Sequence, residues 1–250
     1  RKTIATSFRH RLALKRKHMI FEKCIKNARI IVPISNYLKE VILEKFPSKK
    51  IQVIHMDARD SDEWTIRNGG KLQHPCVGLL QGAGIWGKTK EMMILPEILE
   101  KMPNVNFYWA GDGIYKEKIL EKVKEFKNFH WIGNLNYPNE VQEFLSEIDV
   151  YALFSGMDGL GQSVIEASLM EKPVVASKSG GIPETIKDQE TGYLVNQGDT
   201  QDWINKLSII LENTELSKKL GSNGRKYVKG KFDWAIVSKK IIDLKKNDFT

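Results

Sequence analysis

Residues 154–184 read FSGMDGLGQSVIEASLMEKPVVASKSGGIPE. A glycine-rich loop at 158–161 leads into a segment whose apolar spacing predicts a helix over 163–171. The apolar run Val174–Ser177 then predicts a short buried strand, which ends at a second glycine pair. A loop, a helix and a strand in this order predict one unit of a parallel sheet whose faces are covered by helices.

The same alternation of strands and helices continues on both sides of this unit. Apolar runs predict strands at 76–81, 105–110, 129–132, 150–154 and 192–195, and helical spacing predicts helices at 89–102, 116–126, 139–146, 200–212, 214–229 and 234–245. This pattern predicts an α/β fold, a Rossmann-like parallel sheet with helices on both faces. Two further strand-like runs, 29–33 and 51–55, with a helix between them, predict a partial second α/β domain.

Composition limits the class of protein. The 250 residues are 41% hydrophobic and 28% charged, which indicates a folded globular chain. The cysteines, Cys24 and Cys76, are too few for a disulfide scaffold or a four-cysteine zinc site, and both are predicted to pack within elements. No apolar run approaches the ~20 residues of a membrane span, and residues 1–20 lack the apolar core of a signal peptide. We therefore expect a cytoplasmic protein.

Basic residues are in excess and unevenly spread. Lysine and arginine number 39 against 31 aspartate and glutamate residues, which gives a net charge of +8. Much of the excess lies in residues 1–26, where Glu22 is the only acidic residue. Two interpretations stay open: a solvated helix face, or peripheral contact with a membrane surface or an anionic acceptor. The usual nucleic-acid-binding signatures do not occur in the sequence, so we expect no nucleic-acid partner.

The loop and the helix start at 158–166 indicate an anion site flanked by two carboxylates. Backbone N–H groups at the start of a helix bind anions well, and the glycines of the loop allow a ligand close to the backbone. Glu166 lies one turn inside the predicted helix, where a carboxylate suits ribose hydroxyls better than a phosphate. Asp158 stands at the mouth of the loop, where it could accept hydroxyls of a sugar beyond a diphosphate. Together they favour a nucleotide-diphosphate sugar, although a turn aspartate and a surface glutamate are the simpler interpretation of the pair alone.

The surrounding motifs resemble the donor-binding half of GT-B retaining glycosyltransferases of family 4, the group 1 glycosyltransferases. That family is marked by a carboxylate and a glutamate separated by seven residues, around an E-G-F-G-L core that reads D-G-L-G-Q here at 158–162. Further matching motifs are EKPVVAS at 171–177, GGIPE at 180–184, TGYLV at 191–195, GDG at 111–113 and WIG at 131–133. The resemblance covers residues 28–245 and implies a GT-B fold and sugar transfer with retention at the anomeric carbon.

The resemblance implies a role for each matching residue. Asp158 would contact hydroxyls of the donor sugar and Lys88 would neutralise the diphosphate; these are the two predicted catalytic residues. Glu166 would bind the ribose. The other predicted donor-binding residues belong to the glycine-rich loop and helix start (Gly159, Gly161, Gln162 and Ser163), to the strand end that would lie against the base (Ile132 and Gly133) and to the GDG motif (Gly111). The donor would be a UDP-, GDP- or ADP-sugar and the acceptor a carbohydrate or lipid-linked molecule, with no metal or cofactor required.

Three departures from the family pattern bear on the site. Asp158 stands where glutamate is usual, and its side chain is shorter by one methylene. Leu79 stands where the family commonly has an arginine, so one cation for the diphosphate is missing, and Lys90 is a candidate to replace it. Thr89 replaces the glycine that usually follows the lysine.

The N-terminal part matches only the end of the family's acceptor domain. The glycine-rich acceptor loop and the active-site histidine have no counterpart, since none of the five histidines has a matching context: His10, His18, His55, His74 and His130. The polar stretch 56–75 is typical of a linker. We predict an acceptor-domain remnant with linker at 1–70, a donor-binding domain at 71–230 and a C-terminal helix at 231–250 that packs back toward the N-terminal part. We expect a truncated chain with apolar faces exposed at 17–55.

Three alternatives stay open. Gly82, Gly84 and Gly87 form a G-x-G-x-x-G fingerprint after a predicted strand, which would indicate an NAD(P)-dependent oxidoreductase. Asp60 and Asp62 could hold a metal ion, although their polar stretch favours a solvated loop. The chain could also be a non-catalytic fragment that binds a sugar nucleotide and acts with a partner.

Overall fold

The structure, a computed structural model, describes residues 8–56, 58–67 and 70–249, and side chains from residue 15 to residue 247 within those ranges. The strands are β1 Cys76–Leu80, β2 Asn106–Ala110, β3 Phe129–Gly133, β4 Val150–Leu153, β5 Val174–Ser177 and β6 Tyr193–Val195. The α-helices are α1 Phe8–Asn27, α2 Asn36–Lys45, α3 Trp86–Thr89, α4 Leu95–Lys101, α5 Lys116–Val123, α6 Asn139–Glu147, α7 Gln162–Leu169, α8 Thr200–Glu212, α9 Thr214–Phe232 and α10 Trp234–Phe249. Lys90–Ile94 and Ile182–Glu184 form 3-10 helices.

The strands pair in parallel in the order β3-β2-β1-β4-β5-β6. The central strands β1, β4 and β5 are almost wholly buried, as strands covered on both faces are expected to be. The direction of the strand order reverses between β1 and β4. In such sheets, ligands bind beyond the carboxyl ends of the strands at this switch point. The predicted α/β class and Rossmann-like parallel sheet are confirmed.

The two faces of the sheet each carry an apolar core. Successive residues of β4 alternate between them: Val150 and Ala152 pack with α4, α5 and α8, whereas Tyr151 and Leu153 pack with α6, α7 and α9. In the first core the indole of Trp203 stacks on the ring of Phe154, with centroids 3.9 Å apart. Burying a large apolar side chain of this kind stabilises the folded state by roughly 1.5–3 kcal/mol relative to leaving it exposed. The cores therefore fix the carboxyl ends of β1 and β4, where a site is expected.

The helix predicted over 89–102 is divided in the structure. The segment contains α3, the 3-10 helix Lys90–Ile94 and α4 in succession. Pro96 lies in the first turn of α4. Proline lacks the N–H that would bond the carbonyl four residues earlier, so it is tolerated at a helix start and not inside a continuous helix.

The N-terminal part packs against α10. Val237 and Leu244 of α10 form a small apolar cluster with Ile54. The runs 29–33 and 51–55, predicted as strands, pair in parallel through the bridge between Ile31 and Ile51 and through the N–H of Ile54, which donates to the carbonyl of Pro33 at 3.1 Å. This pairing is too short for either run to form a strand of the length predicted. The division of the chain into three domains stays a prediction. Within the described ranges, no helix combines the length and the apolar character that crossing a membrane would need.

Candidate functional site

A cavity of about 920 Å³ opens beyond the carboxyl ends of β1 and β4, at the switch point of the sheet. Its walls include the loop after β1, the loop before α7 and the first turn of α7. Six of the predicted site residues line it: Lys88, Asp158, Gly159, Gln162, Ser163 and Glu166. The structure thus brings together most of the residues singled out from the sequence.

Asp158 shapes the start of α7. Its Oδ1 accepts hydrogen bonds from the backbone N–H groups of Gly161, at 3.0 Å, and Leu160, at 3.3 Å. Gly161 has a φ of 91°, a left-handed conformation that glycine adopts at little cost, and this turns the chain into α7. The N–H groups of Gln162 and Ser163 then belong to a first helical turn, where no intrahelical acceptor is available. These amides suit an anion at the cavity wall.

Gly180 and Gly181, the glycine pair after β5, pack directly against the backbone of the Asp158 loop. Gly181 donates its N–H to the carbonyl of Asp158 at 3.0 Å. A Cβ on Gly180 would lie 2.0 Å from that same carbonyl oxygen, and a Cβ on Gly181 would lie 2.1 Å from the carbonyl oxygen of Gly159. The close approach of the two loops therefore requires glycine at both positions.

Lys88 and Asp158 form the first ion pair of the cavity. The Nζ of Lys88 lies 2.8 Å from Oδ2 of Asp158, and the carboxylate side chain is 13% exposed. Lys90, the candidate for the missing diphosphate cation, is exposed and does not line the cavity. Its aliphatic chain lies beside Gly156 instead.

Arg59 and Glu166 form the second ion pair, and sequence reasoning missed the arginine. The Nε and Nη2 of Arg59 donate to Oε1 of Glu166 at 3.0 and 2.7 Å, and the two side chains are 15% and 7% exposed. Arg59 lies in the polar stretch 56–75, which was predicted to be a linker. The only sequence signal was a single arginine among the acidic residues of DARDSDE.

The buried Tyr151 hydroxyl holds Ser163 in place. It lies 2.6 Å from Oγ of Ser163 and 3.2 Å from the carbonyl oxygen of Leu80, which also lines the cavity. Burial raises the pKa of the Tyr151 phenol, so it stays protonated at neutral pH. Ser163 is thus oriented by a neutral hydrogen-bonding partner beneath the cavity.

Ile132 and Gly133, predicted to lie against the base, do not line this cavity, and neither does the predicted donor-binding residue Gly111. They lie at the carboxyl ends of β3 and β2, where the N–H of Gly111 donates to the carbonyl of Gly133 at 2.8 Å. A Cβ on Gly111 would lie 2.0 Å from the carbonyl oxygen of Gln81, a residue of the cavity wall. Leu135 and Tyr137 line the cavity in their stead. Gly161 does not line the cavity either; it is the N-cap residue of α7.

The other candidate sites have structural explanations. Asp62 is exposed and pairs with Lys229 at 2.9 Å, and Asp60 accepts the N–H of Asp62, as in a solvated loop. In the fingerprint at 82–87, the third glycine lies inside α3, which has four residues and is followed by a 3-10 helix. A dinucleotide fingerprint requires a glycine turn into a continuous helix, which α3 does not provide.

A side-chain cluster at the amino ends of β1 and β4, opposite the cavity, makes hydrogen bonds among its own members. Ligand-type atoms of His74, Cys76 and Asp149 lie within 4.8 Å of one another. The Asp149 carboxylate accepts the N–H of Cys76 at 2.7 Å and lies 2.8 Å from Nδ1 of His74. Burial raises the pKa of the Cys76 thiol to about 12, so it is a neutral packing group of β1, as predicted.

Comparison with curated proteins finds glycosyltransferase relatives. The chain is 34% identical over 185 residues to sulfoquinovosyl transferase SQD2 of Arabidopsis thaliana, a match that covers 72% of this chain and 35% of that protein. It is 33% identical over 173 residues to trehalose synthase of Thermococcus litoralis, covering 68% of this chain and 41% of that protein. The chain therefore spans less than half the length of these two relatives.

Solved structures share the fold. Sucrose-phosphate synthase from Thermosynechococcus elongatus matches with a TM-score of 0.81 and 20% identity, over 94% of this chain and 62% of that chain. HepE of Anabaena, in complex with UDP and glucose, matches with a TM-score of 0.76 and 18% identity, over 90% of this chain and 64% of that chain.

The family model for glycosyl transferases group 1 matches residues 92–227. The match takes in Asp158, Glu166 and the glycine pair after β5, and it disfavours the oxidoreductase alternative. Since it extends over more than half of the sequence, the chain belongs to the group 1 glycosyltransferases.

Proposed function

We propose that this chain binds the nucleotide-diphosphate sugar donor of a family 4 glycosyltransferase reaction, which retains the anomeric configuration and needs no metal ion. The position of Asp158 and Glu166 carries the proposal. Both carboxylates are largely buried in one cavity, on either side of the first turn of α7. Glu166 can accept hydrogen bonds from the hydroxyls of a ribose, the helix start can bind a diphosphate, and Asp158 can accept hydrogen bonds from the hydroxyls of a sugar.

In this arrangement each group has one task. The Glu166 carboxylate accepts hydrogen bonds from the ribose hydroxyls, and the Asp158 carboxylate accepts hydrogen bonds from hydroxyls of the transferred sugar. Lys88 and the amides of Gln162 and Ser163 stabilise the negative charge that grows on the diphosphate as the sugar leaves. In acyl-transfer enzymes, removing one fixed hydrogen-bond donor that stabilises developing negative charge slows the reaction by about 10²–10³. These charges and dipoles take the place of a divalent cation.

The ligands bound in structures of similar proteins support the donor class. HepE was crystallised with UDP-glucose as well as with UDP and glucose. A TarM variant was crystallised with fondaparinux, α-GlcNAc-glycerol and UDP, which supports a carbohydrate acceptor. These ligands belong to those proteins, and their common chemistry is a uridine diphosphate beside a sugar.

A ligand panel tests the donor proposal. The thermal unfolding of the purified chain is followed with UDP-, GDP- and ADP-sugars, UDP, GDP, NAD and NADP, all in excess EDTA. We expect one nucleotide-sugar class to stabilise the chain, by about 2.7 kcal/mol at a hundredfold excess over the Kd. Stabilisation by NAD or NADP alone, or only after addition of a divalent metal, would contradict the proposal. Retention is checked by the anomeric configuration of the transferred sugar in the product.

We further propose that α1 contacts an anionic membrane surface where a lipid-linked acceptor is held. Met19, Ile20 and Phe21 are 62%, 63% and 50% exposed, and exposed basic residues surround them at Lys15, Arg16, Lys17 and Lys23. Exposed apolar side chains next to lysines suit the headgroup region of a membrane. Residues 1–7 of the basic segment lie outside the described residues.

Vesicle sedimentation tests this contact. We expect the chain to bind phosphatidylserine vesicles and not phosphatidylcholine vesicles, with binding lost at high salt. Phe21→Asp should abolish binding, and Ile209→Asp, at an exposed position of α8, should not. Equal binding to both vesicle types, or no effect of Phe21→Asp, would contradict the contact.

A further inference from the structure

The backbone of Arg59 is fixed at the junction of α9 and α10. Its N–H donates to the carbonyl of Phe232 at 3.2 Å, and its carbonyl accepts the N–H of Trp234 at 3.0 Å. Two residues along, the N–H of Ser61 donates to the Asp233 carboxylate at 3.2 Å. Because the backbone is fixed, any change in the contacts of Arg59 is made by its side chain.

The guanidinium of Arg59 spans the first turn of α7. It donates two hydrogen bonds to Oε1 of Glu166, one turn inside the helix. At the first residue of the helix, the side-chain oxygen of Gln162 accepts from Nη1 and Nη2 at 3.1 and 2.6 Å, when its amide is oriented with the oxygen toward the guanidinium. The positive charge therefore lies beside the helix start whose amides suit the diphosphate.

The formal charges of the described residues that line the cavity cancel. Among the described residues that line it, those with a formal charge are Arg59, Lys88, Asp158 and Glu166. Arg59 pairs with Glu166, and Lys88 pairs with Asp158. A nucleoside diphosphate brings at least two negative charges into this neutral cavity. Its phosphates compete with the two carboxylates for these cations, and a buried carboxylate that loses its cation needs other hydrogen-bond donors.

We propose that the donor enters by partner exchange and that Arg59 is the second cation for its diphosphate. The ribose hydroxyls take the place of the guanidinium on Glu166, and the guanidinium turns to a phosphate oxygen. Lys88 and Asp158 exchange partners in the same way with the other phosphate and the sugar. The inference rests on the proposed donor site and adds to it a residue from outside the sheet domain. Before the donor binds, the two ion pairs give both buried carboxylates hydrogen-bond donors.

Partner exchange has an unusual consequence for binding. Arg59 competes with a ribose for Glu166, yet it attracts a diphosphate. Removing the guanidinium should therefore weaken the binding of a nucleoside diphosphate and leave the binding of the bare nucleoside unchanged or tighter. A residue that only held Glu166 in place would support both ligands, and its loss would weaken both.

Isothermal titration with a nucleoside and its diphosphate tests this, using the base found in the ligand panel. For Arg59→Gln we expect the Kd of the diphosphate to rise at least about tenfold, since a charge-assisted hydrogen bond is lost, with no rise for the nucleoside. Arg59→Lys keeps the positive charge and should therefore weaken the binding of the diphosphate less than Arg59→Gln does. Arg67→Gln is the matched control, because Arg67 bonds Gln142 and does not line the cavity.

The outcomes are separable. If Arg59→Gln weakens the binding of the nucleoside and of the diphosphate equally, or does not weaken the binding of the diphosphate, partner exchange is overturned while the donor site stands. If Arg59→Gln does not fold, Arg59→Lys carries the test. A Kd that rises for the diphosphate and not for the nucleoside supports partner exchange, whereas a parallel rise for both ligands, or no rise for the diphosphate, overturns it. A wild-type chain that binds no nucleoside diphosphate would overturn the donor site itself, and partner exchange with it.

Discussion

The carboxylate of Glu184 caps the N-terminus of α2, where its Oε2 accepts the backbone N–H of Asn36 at 3.0 Å. Its other oxygen accepts the N–H of Tyr37 at 3.0 Å, and His55 lies 3.2 Å from Oε2. Glu184 follows the glycine pair that supports the Asp158 loop. One side chain thus joins the N-terminal part of the chain to the segment beneath the candidate donor site.

Glu184→Ala should lower the free energy of unfolding by about 1–2 kcal/mol, because two N–H groups of α2 lose their acceptor. Urea denaturation measures the loss. Glu190→Ala is the control: Glu190 is 71% exposed and its nearest cation, on Lys187, is 3.9 Å away, so its change should stay within about 0.5 kcal/mol. Equal effects of the two changes would show that the cap contributes nothing.

Stability should fall as the pH drops from 7 toward 5, and His55 should account for part of the slope. Burial lowers the pKa of His55 below its usual 6.5, against the opposing effect of Glu184. The unfolded chain therefore takes up more protons than the folded chain below pH 6.5, and protonation favours unfolding. Protonation would also place an N–H on Nδ1, a buried atom for which the described part of the chain offers no acceptor.

Unfolding of His55→Gln across this pH range measures that contribution. The slope should become shallower without vanishing, since burial also lowers the pKa of His130. A slope identical to that of the wild type would contradict the assignment to His55.

Lys88→Met should weaken the binding of the nucleoside diphosphate by about tenfold and leave the nucleoside unaffected, because Lys88 supplies charge to the diphosphate alone. Lys90→Met is a close control, two residues away along the chain and outside the cavity lining. Titration of both variants with both ligands distinguishes the two lysines. An equal loss in Lys90→Met would point to the overall charge of the segment as the cause.

Gly180→Ala should lower the free energy of unfolding by about 1–3 kcal/mol and impair donor binding. Its φ of +56° is strained for alanine, and the new Cβ would meet the carbonyl oxygen of Asp158. Gly230→Ala is the opposite case, since Gly230 lies in α9 with no atom within 4 Å of a new Cβ. That change should raise stability by up to about 1 kcal/mol. Thermal unfolding of the two variants tests the contrast.

The sheet and the helix start at α7 could be predicted because their signals are local. Apolar runs and glycines at 154–184 indicate where a strand ends and a helix begins, and parallel topology then requires the loops to meet at one edge. The division of the helix at 89–102 was missed although Pro96 signalled it. The runs 29–33 and 51–55 have strand-like composition, but they pair over only a few residues and are not part of the six-stranded sheet.

Arg59 could not have been predicted by these means. Its partner Glu166 is 107 residues away along the chain, and the stretch around it has no periodicity. The contact exists because the backbone of Arg59 bonds the residues on either side of the α9–α10 junction, which only the assembled fold brings together. A polar stretch that resembles a linker can therefore contribute a charged residue to a binding site.

The role of Glu166 is the central claim, and ribose recognition tests it most directly. The measurement compares the Kd of a nucleoside diphosphate with that of its 2′,3′-dideoxy analogue, in the wild type and in Glu166→Gln. We predict that the wild type prefers the ribose form by about tenfold or more and that Glu166→Gln loses most of this preference. A wild-type chain that binds both forms equally, or a preference that survives in Glu166→Gln, would contradict the account.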